Sequence, residues 1–220
     1  MITRRNLLGA AAGAGVLAIA PSAPAQATDP AGRKWTRNVS ANGWRIEPAA
    51  ITTFRVEGSG ASVALRQGHP AAVLLHIARR WHYEIGALDT GEGGGVAAYT
   101  TRRTVGADFE SNYLSGTAVA LHPTAYPAGG SERLWPHHEA IVRDILVDCD
   151  GTVAWGGDLT PAKASHFHLV ARPGDTALAR VAARLDTSRH TGVQPQVAGR
   201  VADPGTPARR AKARAAARPR

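Results

Sequence analysis

Two short stretches decide how the chain is read. They are Ser111-Asn112-Tyr113-Leu114-Ser115-Gly116-Thr117-Ala118-Val119-Ala120 and Ser165-His166-Phe167-His168-Leu169. The first runs into an apolar segment, residues 117–121, short enough to be a strand, and the second opens another strand candidate at residues 166–171. Between them Ile141, Val142, Ile145 and Leu146 fall on one helical face, with Asp150-Gly151 as the stop. Residues 152–155 then form a third strand candidate that ends in Gly156-Gly157-Asp158. Upstream, Thr52-Thr53-Phe54-Arg55-Val56 and Ser62-Val63-Ala64-Leu65-Arg66 alternate apolar and polar residues around Gly58-Ser59-Gly60, a hairpin signal. Pro70 opens an amphipathic helix through Val73, Leu74, Ile77, Ala78 and Trp81, and the glycine-rich loop at 91–95 separates it from a strand at 96–99. A last helix is expected over 176–185, through Leu178, Val181, Ala182 and Leu185. Strands and helices interleave without regular βαβ spacing, so the expected class is α+β, a mainly antiparallel sheet with flanking helices.

The two ends read differently from the middle. Thr3-Arg4-Arg5, an apolar run over residues 7–20 and the small residues around Ala25-Gln26-Ala27 have the three parts of a twin-arginine signal peptide spanning 1–27. The apolar run has 14 residues, against the roughly 20 of a membrane-spanning helix. The chain is therefore expected to be exported in folded form to the cell envelope or beyond. Residues 28–43 read as a linker, 44–186 as one domain and 187–220 as a disordered basic tail, polar and finally Ala/Arg-repetitive.

Charge follows the same division. The formal net charge is +9, yet residues 28–208 hold 18 basic and 17 acidic side chains, while the last twelve residues carry six basic ones and no acid. The domain is nearly neutral, and the tail is suited to a salt-sensitive attraction to anionic polymer or lipid surfaces. For an exported chain these are wall polymers and headgroups; nucleic acid is not expected, nor is a membrane-spanning role. Cys149, the single cysteine, excludes an intramolecular disulfide and a cysteine zinc cluster, and its place at the end of an apolar helical pattern marks a buried structural thiol. Among nine histidines, His69, His76 and His82 scatter around the first helix and His137-His138 decorates the start of the next.

The two opening stretches, together with residues 148–158 and Ala78-Arg79-Arg80-Trp81-His82-Tyr83-Glu84, resemble the zinc D-Ala-D-Ala carboxypeptidases and dipeptidases (peptidase family M15), which trim peptidoglycan stem peptides. The resemblance covers residues 44–172. It implies that family's fold and a site in which a Ser-x-His-x-x-Gly-x-Ala-x-Asp segment supplies two zinc ligands. A late-strand histidine supplies the third, and a carboxylate three residues before it is the general base. Three protein ligands leave a fourth zinc position open for the attacking water.

Ser111, Gly116 and Ala118 match that pattern, and His166 matches the third ligand; Tyr113, Ala120 and Lys163 stand where the other two ligands and the base belong. A complete zinc site is worth on the order of 10 kcal/mol or more, and one imidazole supplies little of it. The resemblance thus implies a non-catalytic relative that binds wall peptide, or another partner, in a remnant groove around Arg102 or Arg103, Ser111, Trp155 and Asp158. No cofactor is expected on this reading. An alternative, a working zinc peptidase with displaced ligands, would use Tyr113, His122, His166 and His168, since His122 and His168 follow Ala120 and His166 by two residues along their strands. A third reading is a structural interaction module with no ligand.

Overall fold

The computed structural model describes residues 32–185 and 205–216. Its elements in chain order are β1 (Arg33–Lys34), β2 (Ile51–Arg55), β3 (Ser62–Arg66), α1 (His69–Glu84), β4 (Val96–Ala97), β5 (Thr104–Val105), β6 (Ala118–Leu121), α2 (Pro136–Asp148), β7 (Val153–Trp155), β8 (His166–Leu169), α3 (Thr176–Leu185) and α4 (Pro207–Ala216). The class is α+β, and every strand pairing among the described residues is antiparallel.

The central sheet has the order β4-β6-β8-β7, and the β2-β3 and β1-β5 ribbons stand beside it. Alternation along β6 and β8 gives this sheet two faces. Val119, Leu121, Phe167 and Leu169 point into the main core, where α1 buries Val73, Leu74, Ile77, Ala78 and Trp81. Burying a side chain of this size contributes about 1.5–3 kcal/mol, so the stripe on α1 is what holds the sheet to the helix layer. Ala118, Ala120, His166 and His168 lie on the opposite face. Among the described residues no helix is long and apolar enough to cross a membrane.

The expected linker is only partly one. From residue 32 onward it is built into the fold, because Trp35 is 3% exposed and packs with Val105 and Leu114. Asn42 is equally fixed: its side-chain amide donates to Thr117 Oγ1 at 2.9 Å and to the Leu169 carbonyl at 2.8 Å. The expected disordered tail is corrected over its last part, where Pro207–Ala216 is a helix docked on α2. Its anchor is Arg209, whose guanidinium is paired with Asp144 and lies 2.8 Å from Asp148 Oδ1. The helix is poor in large apolar residues, and its place on α2 is specified by the ion pairs from Arg209 to Asp144 and Asp148. The signal segment 1–27 and residues 186–204 and 217–220 lie outside the described residues.

Cys149 is buried, and burial followed by the nearby Asp148 carboxylate pushes its thiol up to about 12. That is the setting of an inert structural cysteine.

Candidate functional site

Register places the site residues. Ala120 pairs with His166 and Ala118 with His168 across β6 and β8, and a 3-10 turn over Asp108–Tyr113 lays two aromatic rings over that face. Tyr113 Oη sits 2.6 Å from His166 Nδ1, and His166 Nε2 sits 3.0 Å from His168 Nδ1. Phe109 covers the pair: its centroid is 4.8 Å from that of His166, and its ring stacks on His168 at 6.4 Å with an interplanar angle of 11°. The result is a buried Tyr-His-His hydrogen-bonded chain roofed by an aromatic ring.

Two glycines make this arrangement possible. Gly116 has φ +66°, and a Cβ there would lie 2.7 Å from the Arg66 backbone nitrogen, so the turn into β6 closes against β3 only without a side chain. At Gly156 a Cβ would meet the Lys163 carbonyl oxygen at 2.2 Å and His166 Cβ at 2.8 Å, which lets the turn after β7 press against the start of β8. Ser111 is structural in the same way: its hydroxyl donates to the Asp108 carbonyl at 2.6 Å and accepts the Ala41 N–H at 2.8 Å.

The charged neighbour is Lys163, whose Nζ lies 2.6 Å from Glu110 Oε1 and 5.2 Å from the centre of the Tyr113 ring. Burial alone would raise the Glu110 carboxyl, but its bonds to Lys163 and to backbone N–H groups hold it below its ordinary value. Tyr113 is pushed well above the normal phenol range by burial and then by Glu110, so it stays a neutral hydroxyl. His166 is held well below its usual value by burial, with His168 and Lys163 adding to the effect, and burial takes His168 down to about 4. The three side chains Tyr113, His166 and His168 are therefore uncharged at neutral pH.

This neutrality predicts acid sensitivity. In the unfolded chain each imidazole takes up a proton around pH 6.5, whereas folded His168 refuses it until about pH 4. The stability it contributes is therefore complete above pH 6.5 and is lost as pH falls toward 4. Urea unfolding midpoints should drop across that window and flatten above it. His168→Phe should remove part of the slope, and an unchanged slope would show that His168 is not buried neutral.

These residues do not fit zinc. Zinc requires deprotonated donors, yet both nitrogens of His166 are already engaged by Tyr113 and His168, and positions 118 and 120 offer only methyl groups. Among the described residues no group of three or more His, Cys, Asp and Glu side chains is arranged to hold a metal. Lys163, over the Tyr113 ring, adds a positive charge where a dication would have to sit.

The displaced ligand set is not assembled. Tyr113, His166 and His168 converge, but His122 does not join them. The strand ends at Leu121, His122 takes φ +51°, and its ring turns to meet Trp81 at 5.8 Å, with Nε2 placed 3.0 Å from the Ala87 carbonyl oxygen.

The proposed groove residues take part in local contacts, and Arg143 joins two of them, Trp155 and Asp158. Trp155 belongs to the main core, its indole N–H donating to the Ala164 carbonyl at 2.7 Å while Arg143 lies 4.6 Å over its ring. Asp158 accepts from Arg143 at 2.6 Å. Arg103 donates to the Trp35 and Arg37 carbonyls at 3.3 and 3.0 Å, and Arg102 is exposed. Ser111, Trp155, Asp158 and Arg103 thus each have hydrogen-bond partners within the fold, while Arg102 faces solvent.

Phe109 and Glu110 complete the site without belonging to any motif in the sequence. The only available signal was their position just ahead of Ser111. No protein-family model, no curated protein and no solved structure matches the chain.

Proposed function

We propose that the chain is a non-catalytic relative of the zinc D-Ala-D-Ala peptidases, exported by the twin-arginine route, which engages wall stem peptide or another envelope partner without hydrolysing it. The observation that carries this reading is the Tyr113-His166-His168 chain. Positions 113, 120 and 166, where the resemblance calls for three ligands, lie together; Tyr113 and His166 join His168 in a neutral hydrogen-bonded relay, and Ala120 contributes a methyl group beside it. Amide hydrolysis of that kind needs a polarised carbonyl, an activated water and a group to take its proton. Lys163, a cation committed to Glu110, cannot take that proton. The basic C-terminal segment supplies a second contact on this reading, with an anionic envelope surface.

The deciding experiment is incubation of the purified protein with stem pentapeptide, reading D-Ala release and equilibrium binding side by side. Saturable binding with release no greater than a blank is the expected result. Release that a chelator abolishes would overturn the proposal. A specific observation favours one other reading, a purely structural module: Phe109 roofs both imidazoles. Absence of any muropeptide binding would move the protein to that class.

A further inference from the structure

Away from the relay, α2 and α4 enclose a cleft of about 620 Å³, a size suited to a small ligand. Ala140, Ile141 and Ala213 give it apolar walls, and Arg210 and Arg214 stand along it. These two arginines are four residues apart on α4, so they stand on one helix face, where like charges repel and weaken the helix. Both are exposed, and neither side chain has a hydrogen-bond or ion-pair partner among the described residues. The other charges at the cleft are already used. Arg209 is paired with Asp144 and Asp148, and Arg143 bridges Glu139 and Asp158. Arg209 thus clamps the helix while its two neighbours keep free guanidinium groups beside an apolar wall.

We infer that the α2-α4 cleft binds a single anionic phospholipid, with Arg210 and Arg214 holding the phosphoryl headgroup and Ile141, Ala140 and Ala213 receiving the first carbons of an acyl chain. Guanidinium groups match phosphate oxygens in paired, planar geometry, and a bound anion relieves the Arg210/Arg214 repulsion. The apolar wall separates this ligand from a bare phosphate, which would leave Ile141 facing water. The inference deepens the surface-contact part of the reading above and rests on it.

Calorimetry on the full chain tests it with monomeric dihexanoyl phosphatidylglycerol, dihexanoyl phosphatidylcholine and glycerol phosphate, all below micelle-forming concentrations. Saturable binding of phosphatidylglycerol is expected, with the zwitterionic lipid and glycerol phosphate each weaker by about tenfold or more. Arg210→Gln with Arg214→Gln should weaken phosphatidylglycerol by about tenfold as well, while the circular dichroism of the helices is retained because Arg209 is untouched. Equal binding by the double variant, equal binding of phosphatidylcholine, or no saturable binding of phosphatidylglycerol overturns the inference. Glycerol phosphate binding as tightly as the lipid also overturns it, in favour of a plain phosphate site. Retention on anionic wall polymer is measured in parallel. If it persists in the double variant while lipid binding proves unspecific, the cleft falls and the surface-contact reading stands; if the full chain is not retained at all, that reading falls too.

Discussion

Tyr113→His, Ala120→Asp and Lys163→Asp, introduced together, are expected to turn a protein that purifies with well under one zinc per chain into one that holds about one. The geometry supports this. Position 120 is the cross-strand partner of His166, and the residue at 113 already touches the His166 ring, so a carboxylate and an imidazole placed there would face the same nitrogen-bearing edge. Opposed residues on paired strands hold their Cβ atoms roughly 4.5–5.5 Å apart, a span that a metal between two side chains can bridge. Replacing Lys163 removes the opposing charge and frees Glu110. Each substitution alone should leave the protein without metal, because two donors capture only a small part of the on the order of 10 kcal/mol available to a full site. Metal analysis after dialysis reads the result, and a zinc-dependent rise in melting temperature should accompany it, as it does for any ligand that binds only the folded state. A triple variant that folds, by circular dichroism, yet takes up no zinc would show that the three positions do not share a metal-sized space. Peptidase activity would remain weak at best, since nothing around the new ligands orients their outer atoms.

The second large effect is expected at Asp144, which is 4% exposed and lies at the meeting point of three helices. Arg80 of α1 donates to Asp144 at 2.9 Å and to Asp148 at 2.9 Å, and Arg209 of α4 clasps the same two acids. Burial alone would raise the Asp148 carboxyl, but its bonds to His76 and Arg209 hold it well below the usual carboxylate range. Removing one partner of a buried ion pair costs about 3–5 kcal/mol, because the remaining charge is left buried and unanswered. Asp144→Ala should therefore lower the unfolding free energy by about 3 kcal/mol and release α4 from α2. Arg209→Ala should cost only about 1 kcal/mol, since Arg80 still answers both carboxylates. Urea unfolding gives the first quantity, and the rate of trypsin cleavage within residues 207–216 gives the second. A loss below about 1 kcal/mol for Asp144→Ala would mean that water, rather than Arg80 and Arg209, answers this carboxylate. Slow cleavage in both variants would mean that α4 is held by something other than the ion pair.

Much of the local structure was legible in the sequence because it depends on neighbouring residues. The 3.6-residue periodicity through Val73, Leu74, Ile77 and Trp81 and the one through Leu178, Val181 and Leu185 yielded two helices, and the alternation on either side of Gly58-Ser59-Gly60 yielded the hairpin. The strands at 118–121, 153–155 and 166–169 were equally readable, as was the burial of Cys149. Where the structure departs from these expectations, a local rule has been carried beyond its reach. His122 was carried along the strand by alternation, but a left-handed residue ends that strand and turns the ring to the opposite side. Residues 207–216 were judged by composition, which measures apolar content and is blind to a single arginine with a buried acid to meet.

From the sequence alone one could determine the α+β class and the separation of a nearly neutral domain from a basic end. Only the tertiary structure decided which partners Tyr113, Lys163 and His166 take and which face each side chain occupies. Tyr113 and His166 are 53 positions apart, as are Glu110 and Lys163, and Arg209 is 65 from Asp144. Contacts over such separations form only after the sheet and helices have packed, when burial has raised the cost of every unpaired polar group and selected the partners that satisfy it.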